Sequence, residues 1–203
     1  MIAKDLQLKQ GHTYAVILRW EAPPIVYKAI QGITQEAPAK VTAAGHGAPD
    51  GWRVAITNVK GMTEINAPNP SRIRDVDYQQ ATLVDGNTLT LNAVNAAGFS
   101  AYKSGGYLQY NTPVSLSGFS FAIRLRTSPG GTLLASNLLA DAPLNLLSIA
   151  VDLGLFTITP IFSAAATTAL AGTSGEYEVE AISPDSTPVV TALMGGKFSC
   201  AKE

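Results

Sequence analysis

The chain has 203 residues and carries 14 Lys and Arg against 15 Asp and Glu, for a formal net charge of −1. That length suits one large or two small domains, and a balanced charge with no basic block argues against nucleic acid as a partner. One cysteine, Cys200, leaves no intrachain disulfide and no thiolate metal site, and no apolar run reaches the ~18 residues of a membrane span.

Period-2 alternation opens the chain. Leu6 and Leu8 alternate with Asp5 and Gln7, and Gly11 breaks the run. Tyr14, Val16, Leu18 and Trp20 then share one strand face. Pro23-Pro24 is expected to end the strand, because proline cannot donate to a sheet ladder. Ile25-Val26-Tyr27, Ile30 and Ile33 resume the pattern before the turn-rich residues 35–40. Val41 and Ala43 lead into Gly45-His46-Gly47, a tight turn. Trp52, Val54 and Ile56 alternate with Arg53 and Ala55 as a further strand. Ala67-Pro68-Asn69-Pro70-Ser71 reads as a loop, and Ile73 and Val76 border a weaker strand running to Tyr78. Asp85-Gly86-Asn87 predicts a hairpin joining residues 81–84 to 88–92. Residues 107–110 read as a strand leading out of this region.

The second half repeats the alternation more clearly. Phe119, Phe121, Ile123 and Leu125 occupy one face, with Ser120, Ala122, Arg124 and Arg126 opposite. Shorter strands are expected at residues 132–135, 147–151, 155–159, 177–181, 189–194 and 197–201. Ser163–Leu170 is the one helix candidate, capped by Ser163 and closed by Gly172. Strong strands before residue 24 and after residue 111 thus flank a middle of different texture. The predicted fold is all-β, with a discontinuous β-sandwich-like outer domain (residues 1–24 and 111–203) and an inserted small β-barrel-like domain (residues 25–110).

Reactive chemistry is sparse. His46 has only His12 as a second imidazole, which makes no metal or triad spacing. Asp75 and Asp77 would share one strand face, where a solvated edge is the simpler reading than a cation site. Asp141, Asp152, Glu178 and Glu180 stand singly, whereas a glycosidase needs two carboxylates across a cleft. Cys200 reads as a small apolar strand residue. Trp20, Trp52, Tyr107 and Tyr110 offer either a carbohydrate platform or interface aromatics. Arg124 and Arg126, i and i+2 on a strand, give a solvated or interface face. No catalytic residue, cofactor or metal is expected, and Met1–Asp5 lacks a signal-peptide shape.

A resemblance adds to this. Phe119–Arg126 followed by Gly130-Gly131-Thr132-Leu133-Leu134 resembles a theme of small tailed-phage structural proteins. So do Phe156-Thr157-Ile158-Thr159, the helix at Ser163–Leu170, Gly175–Glu180 and Gly196-Lys197-Phe198. With the opening Asp5-Leu6 and Gln10–Tyr14, these marks are similar to the N-terminal domain of upper baseplate proteins. The middle stretch resembles a phage-borne module named after a small domain of ubiquitin-activating enzymes. Its marks are Gly45-His46-Gly47, Val54-Ala55-Ile56, Gly61–Asn66, Phe99 and Tyr102–Gly106. The chain departs from that pattern after Asn66, where residues 67–71 form an extra loop.

The resemblance implies a virion component made in the host bacterial cytoplasm. It would be a non-enzymatic tail or baseplate adaptor, present in several copies and docked on other virion proteins, with no nucleic-acid or membrane partner. Its candidate interface residues are Trp52, Tyr110, Arg124, Arg126, Pro68 and Pro70. A capsid decoration protein, a host-glycan-binding module using Trp52 or Tyr110, and a cell-wall hydrolase are the alternatives.

Overall fold

Strand pairing divides the chain into two units. The computed structural model describes residues 2–203, with one unit formed by Met1–Trp20 and Ser115–Glu203 and the other by Glu21–Val114. The first segment holds β1 (Ile2–Ala3), β2 (Leu6–Lys9), β3 (Tyr14–Ala15) and β4 (Leu18–Arg19). The inserted unit holds β5 (Glu21–Ala29), β6 (Gly32–Ile33), β7 (Ala39–Thr42), β8 (Arg53–Thr57), β9 (Gln79–Asp85), β10 (Thr88–Leu91) and β11 (Tyr107–Pro113). The remainder holds β12 (Ser120–Arg126), β13 (Leu133–Ser136), β14 (Ser148–Asp152), β15 (Thr157–Phe162), helix α1 (Ala164–Ala169), β16 (Ser174–Ile182) and β17 (Val190–Ala201). The fold is all-β, with a separate antiparallel sheet inserted in the sequence.

The outer unit is sandwich-like. Its six-stranded sheet runs β1-β17-β16-β12-β13, with β2 also beside β17. Its four-stranded sheet runs β14-β15-β3, with β4 also beside β15. Leu6, Ile123, Leu125, Val179, Met194 and Phe198 from the first sheet share one core with Leu18, Ile158 and Phe162 from the second. Each such side chain contributes about 2 kcal/mol by leaving water. Tyr14, Val16 and Trp20 pack against that core as their alternation predicts. Helix α1 begins where the Ser163 hydroxyl accepts from Ala166 N at 3.1 Å, and Ala166 and Thr167 face inward.

The C-terminal strand differs from expectation. Residues 190–201 form one strand of 12 residues rather than two. Gly196 makes this possible: a Cβ there would sit 2.4 Å from the Lys4 carbonyl, so only glycine lets β17 pass the junction of β1 and β2.

In the inserted unit the sheet order is β5-β11-β8-β9-β10-β7-β6. The two end strands, β5 and β6, are separated in sequence only by Ile30 and Gln31. A sheet whose outermost strands are that close along the chain must curl round on itself. Val41, Val54, Ile56, Leu89, Leu91 and Leu108 are all buried in this unit. The 79–91 hairpin forms as its turn residues predict, with a bulge at Thr88/Leu89.

Two local expectations are corrected. Pro23-Pro24 does not end a strand, because β5 runs through it. β5 is an end strand of the sheet, and its register with β11 jumps from Ile25↔Asn111 to Ala22↔Thr112. The prolines sit in that bulge, where no ladder donor is required. Glu21 and Ala22 therefore pair within the inserted unit, so the unit begins at Glu21 and ends at Val114. Residues 75–77 form a 3-10 turn rather than a strand.

The ends of the insertion lie close within the outer unit, since Trp20 and Phe119 pack edge to face at 5.2 Å. Joining Trp20 to Ser115 through a short Gly/Ser linker is expected to leave a cooperatively unfolding sandwich, read by circular dichroism during urea titration. A non-cooperative or insoluble product would contradict it. In the inserted unit Gly61 has φ +90, and a Cβ there would lie 2.2 Å from the Ala101 carbonyl. Gly61→Ala is expected to destabilise that unit by roughly 3 kcal/mol, measured from the shift in its urea midpoint.

Candidate functional site

The sequence-predicted interface residues separate into three environments. Trp52 and Tyr110 are core residues at 0 % and 3 % exposure. Their polar atoms are bound internally: Trp52 Nε1 donates to the Asn111 carbonyl at 3.1 Å, and the Tyr110 hydroxyl donates to the His46 carbonyl. Neither presents a surface to a partner or a sugar, which corrects the expectation for both. Pro68 and Pro70 are exposed on their loop. Arg124 and Arg126 are half-buried on β12 and line a groove on the outer sandwich.

Other candidate groups are satisfied within the chain. His46 is buried at 1 % exposure. Its Nδ1 accepts from Ala48 N at 3.1 Å, so its Nε2 carries the proton and donates to the Asp85 carbonyl at 3.0 Å. It is a turn residue with both nitrogens occupied. Asp75 and Asp77 do not share a strand face. Arg53 bridges Glu21 at 2.7 Å and Asp75 at 3.0 Å, and its guanidinium lies 4.8 Å from the Tyr78 ring centre. The hydrogen bond to Glu21 pushes the Arg53 guanidinium up. Arg74 grips Asp77 at 2.8 Å, and that hydrogen bond holds the Asp77 carboxyl below the usual range. A cavity of about 320 Å³ near Pro68 is lined in part by Asp77 and Glu64, and Glu64 is occupied by Ser100 N and Oγ at 2.9 and 2.8 Å. Among the described residues no cluster of three or more His, Cys, Asp or Glu is placed to hold a metal ion.

The groove is different. It has a volume of about 720 Å³ and is floored by β12, β16 and β17, with Ser128–Gly130 and Ala3 and Asp5 among its lining residues. Alternation along β16 sends Tyr177, Val179 and Ala181 into the core and Glu176, Glu178 and Glu180 to the opposite face. Register places Arg126 opposite Glu176 and Arg124 opposite Glu178 on one side. Lys197 lies opposite Glu176 and Gly195 opposite Glu178 on the other.

The ion pairing does not follow the register. The Arg124 guanidinium donates to Glu180, one step along the strand. Arg126 Nη1 donates to the Gly131 carbonyl at 3.0 Å. Glu178 is left exposed with no ion pair among the described residues. The alternating glutamates and Arg124/Arg126 were legible in the sequence; Gly195 beside Glu178 was not, because that register follows a bulge at Val179/Glu180.

Below the groove Tyr177 is 3 % exposed, and its hydroxyl donates to the Lys4 carbonyl. Burial, with the nearby Asp5 charge, pushes this phenol up to about 12. Comparison of the chain with protein-family models and with curated protein sequences gave no match.

A pKa raised in the folded state gives stability that is complete below the unfolded value of 10 and is lost as pH climbs through about 12. Tyr177→Phe should lack this loss. At neutral pH the variant is expected to be about 1 kcal/mol less stable, because the Lys4 carbonyl loses its donor. The difference in Tm between wild type and variant should shrink or reverse between pH 10 and 12. An unchanged difference across that window would contradict the assignment.

Proposed function

We propose that the chain is a non-enzymatic structural protein of a phage virion, an adaptor of the tail or baseplate that docks with other virion proteins in several copies. The observation that carries the reading is the groove on the six-stranded sheet. It is broad, charged and laid on paired strands, and some of its charges make no ion pair among the described residues. Such a surface suits recognition of another protein, where complementary charge fixes partner and register more than it adds affinity. The resemblance of the outer segments to upper baseplate domains and of the middle segment to a phage-borne module points the same way. An inserted unit on a sandwich also suits an adaptor, because each unit offers a separate surface. The glycan-binding alternative loses Trp52 and Tyr110 as its platform, since both are core residues.

Cryo-electron microscopy of intact particles, with head and tail both reconstructed, tests the reading. Density for this chain at the tail or its tip is the expected outcome. Density on the capsid lattice would transfer the role to decoration, and absence from the particle would end the virion reading.

A further inference from the structure

Strand β5 leaves one edge open. It is an end strand of the inserted sheet and pairs with β11 on one side. No strand among the described residues pairs along its other side, since β6 spans two residues and pairs with β7. Hydrogen bonding decides which residues face that edge. Ile30 N donates to the Gly106 carbonyl at 3.1 Å, in step with the register Ala29↔Tyr107. Alternate residues of an antiparallel strand turn their N–H and C=O to the same neighbour. Lys28 and Val26 therefore turn theirs to β11, as Ile30 does, and the Pro24 carbonyl in the same series accepts from Thr112 Oγ1 at 2.6 Å. Ile25, Tyr27 and Ala29 turn theirs to the open edge. The side chains of the same three residues are exposed, Ile25 at 40 % and Tyr27 at 56 %. On β11 the Tyr107 ring, 46 % exposed, meets Tyr27 edge to face at 6.3 Å. An apolar strip thus lies along a free ladder, a combination that edge strands ordinarily avoid.

We infer that β5 pairs antiparallel with β5 of a second copy, about a two-fold axis at Tyr27. This register sets Tyr27 opposite the second copy's Tyr27 and Ile25 opposite its Ala29. Backbone bonds alone would accept any extended strand; what favours a second copy is that the strip is compatible with its own reverse. The facing residues all turn their backbone groups outward in both copies, so each donor meets an acceptor, about six hydrogen bonds in all. A large side chain at Ile25 meets a small one at Ala29, and the two Tyr27 rings meet at the axis with Tyr107 beside each. Lys28, the one charge between Ile25 and Ala29, falls opposite Val26, so like charges are not opposed. Pro23 and Pro24 lack donors and end the ladder beyond Ile25. The contact is isologous and uses up the open edge of both copies, so association stops at a dimer. The inference concerns the isolated chain and stands apart from the virion reading.

Sedimentation velocity of the full chain, followed to ~500 μM in ~50 mM and ~500 mM NaCl, tests it. A monomer–dimer equilibrium that keeps its strength in the higher salt is expected, because backbone bonds and apolar contact are little screened. Tyr27→Glu and Tyr27→Lys each set like charges against one another across the axis, and each is expected to weaken association at least about tenfold. An equimolar mixture of the two variants should recover it, because opposite charges then meet. That recovery requires position 27 to face itself, so a partner strand in another register would not give it. The position is exposed, so a wild-type urea midpoint is expected of each variant. If either unfolds early, Ile25→Glu and Ala29→Lys replace the pair, and their mixture must recover association in the same way. A chain that stays monomeric, growth beyond a dimer, association lost in high salt, single variants that associate like wild type, or a mixture no better than its components would each overturn the pairing.

Discussion

The outer unit closes only when the two ends of the chain meet. Leu6–Lys9 lies parallel beside Phe198–Ala201, and Tyr14–Ala15 and Leu18–Arg19 lie against β15. The first twenty residues thus place strands in both sheets of the sandwich and send Leu6, Leu8 and Leu18 into its core. Side chains reinforce the closure: the Tyr177 hydroxyl reaches the Lys4 carbonyl, and Thr167 Oγ1 donates to the His12 carbonyl at 2.8 Å. Parallel pairing between chain ends is the most non-local contact a topology can require, and such contacts form slowly. The insertion adds little to that difficulty. Loop-closure entropy grows only with the logarithm of length, and the insertion buries a core of its own. The Trp20–Phe119 contact then fixes where the chain leaves the sandwich and returns.

Period-2 patterning revealed the strands wherever one face meets a core, as at Tyr14–Trp20, Phe119–Leu125 and Tyr177–Ala181. It could not say which face a curled sheet closes over. Trp52 and Tyr110 carry polar atoms and so looked fit for a surface, yet backbone carbonyls at Asn111 and His46 satisfy those atoms inside the unit. Pro23-Pro24 looked like a terminator because the rule against proline in strands is strictest for central ones. An end strand with a bulge escapes it. At Asp75–Asp77, a signal was present and outweighed: Arg74 and Asp77 stand i and i+3, the spacing at which an acidic side chain returns to the start of a helical turn. Its carboxylate does so here, accepting from Arg74 N at 2.9 Å.

The groove shows why a site can be half legible. The rows Arg124/Arg126 and Glu176/Glu178/Glu180 are written in the alternation of their strands. Which glutamate each arginine takes is decided by side-chain reach, and Arg124 chooses the diagonal Glu180 over the directly opposed Glu178. Exposed ion pairs contribute between nothing and about 1 kcal/mol, so folding alone scarcely discriminates between those arrangements. It does not call for a column of three like charges either, since neighbouring glutamates repel. What the arrangement does provide is an exposed anion held on a strand between Arg124 and Gly195. Water screens that charge in the free chain. Once a partner excludes water, the same charge interacts several times more strongly. The consequence of leaving Glu178 without an ion pair among the described residues is therefore slight for folding, and it would be larger wherever a partner covered that face.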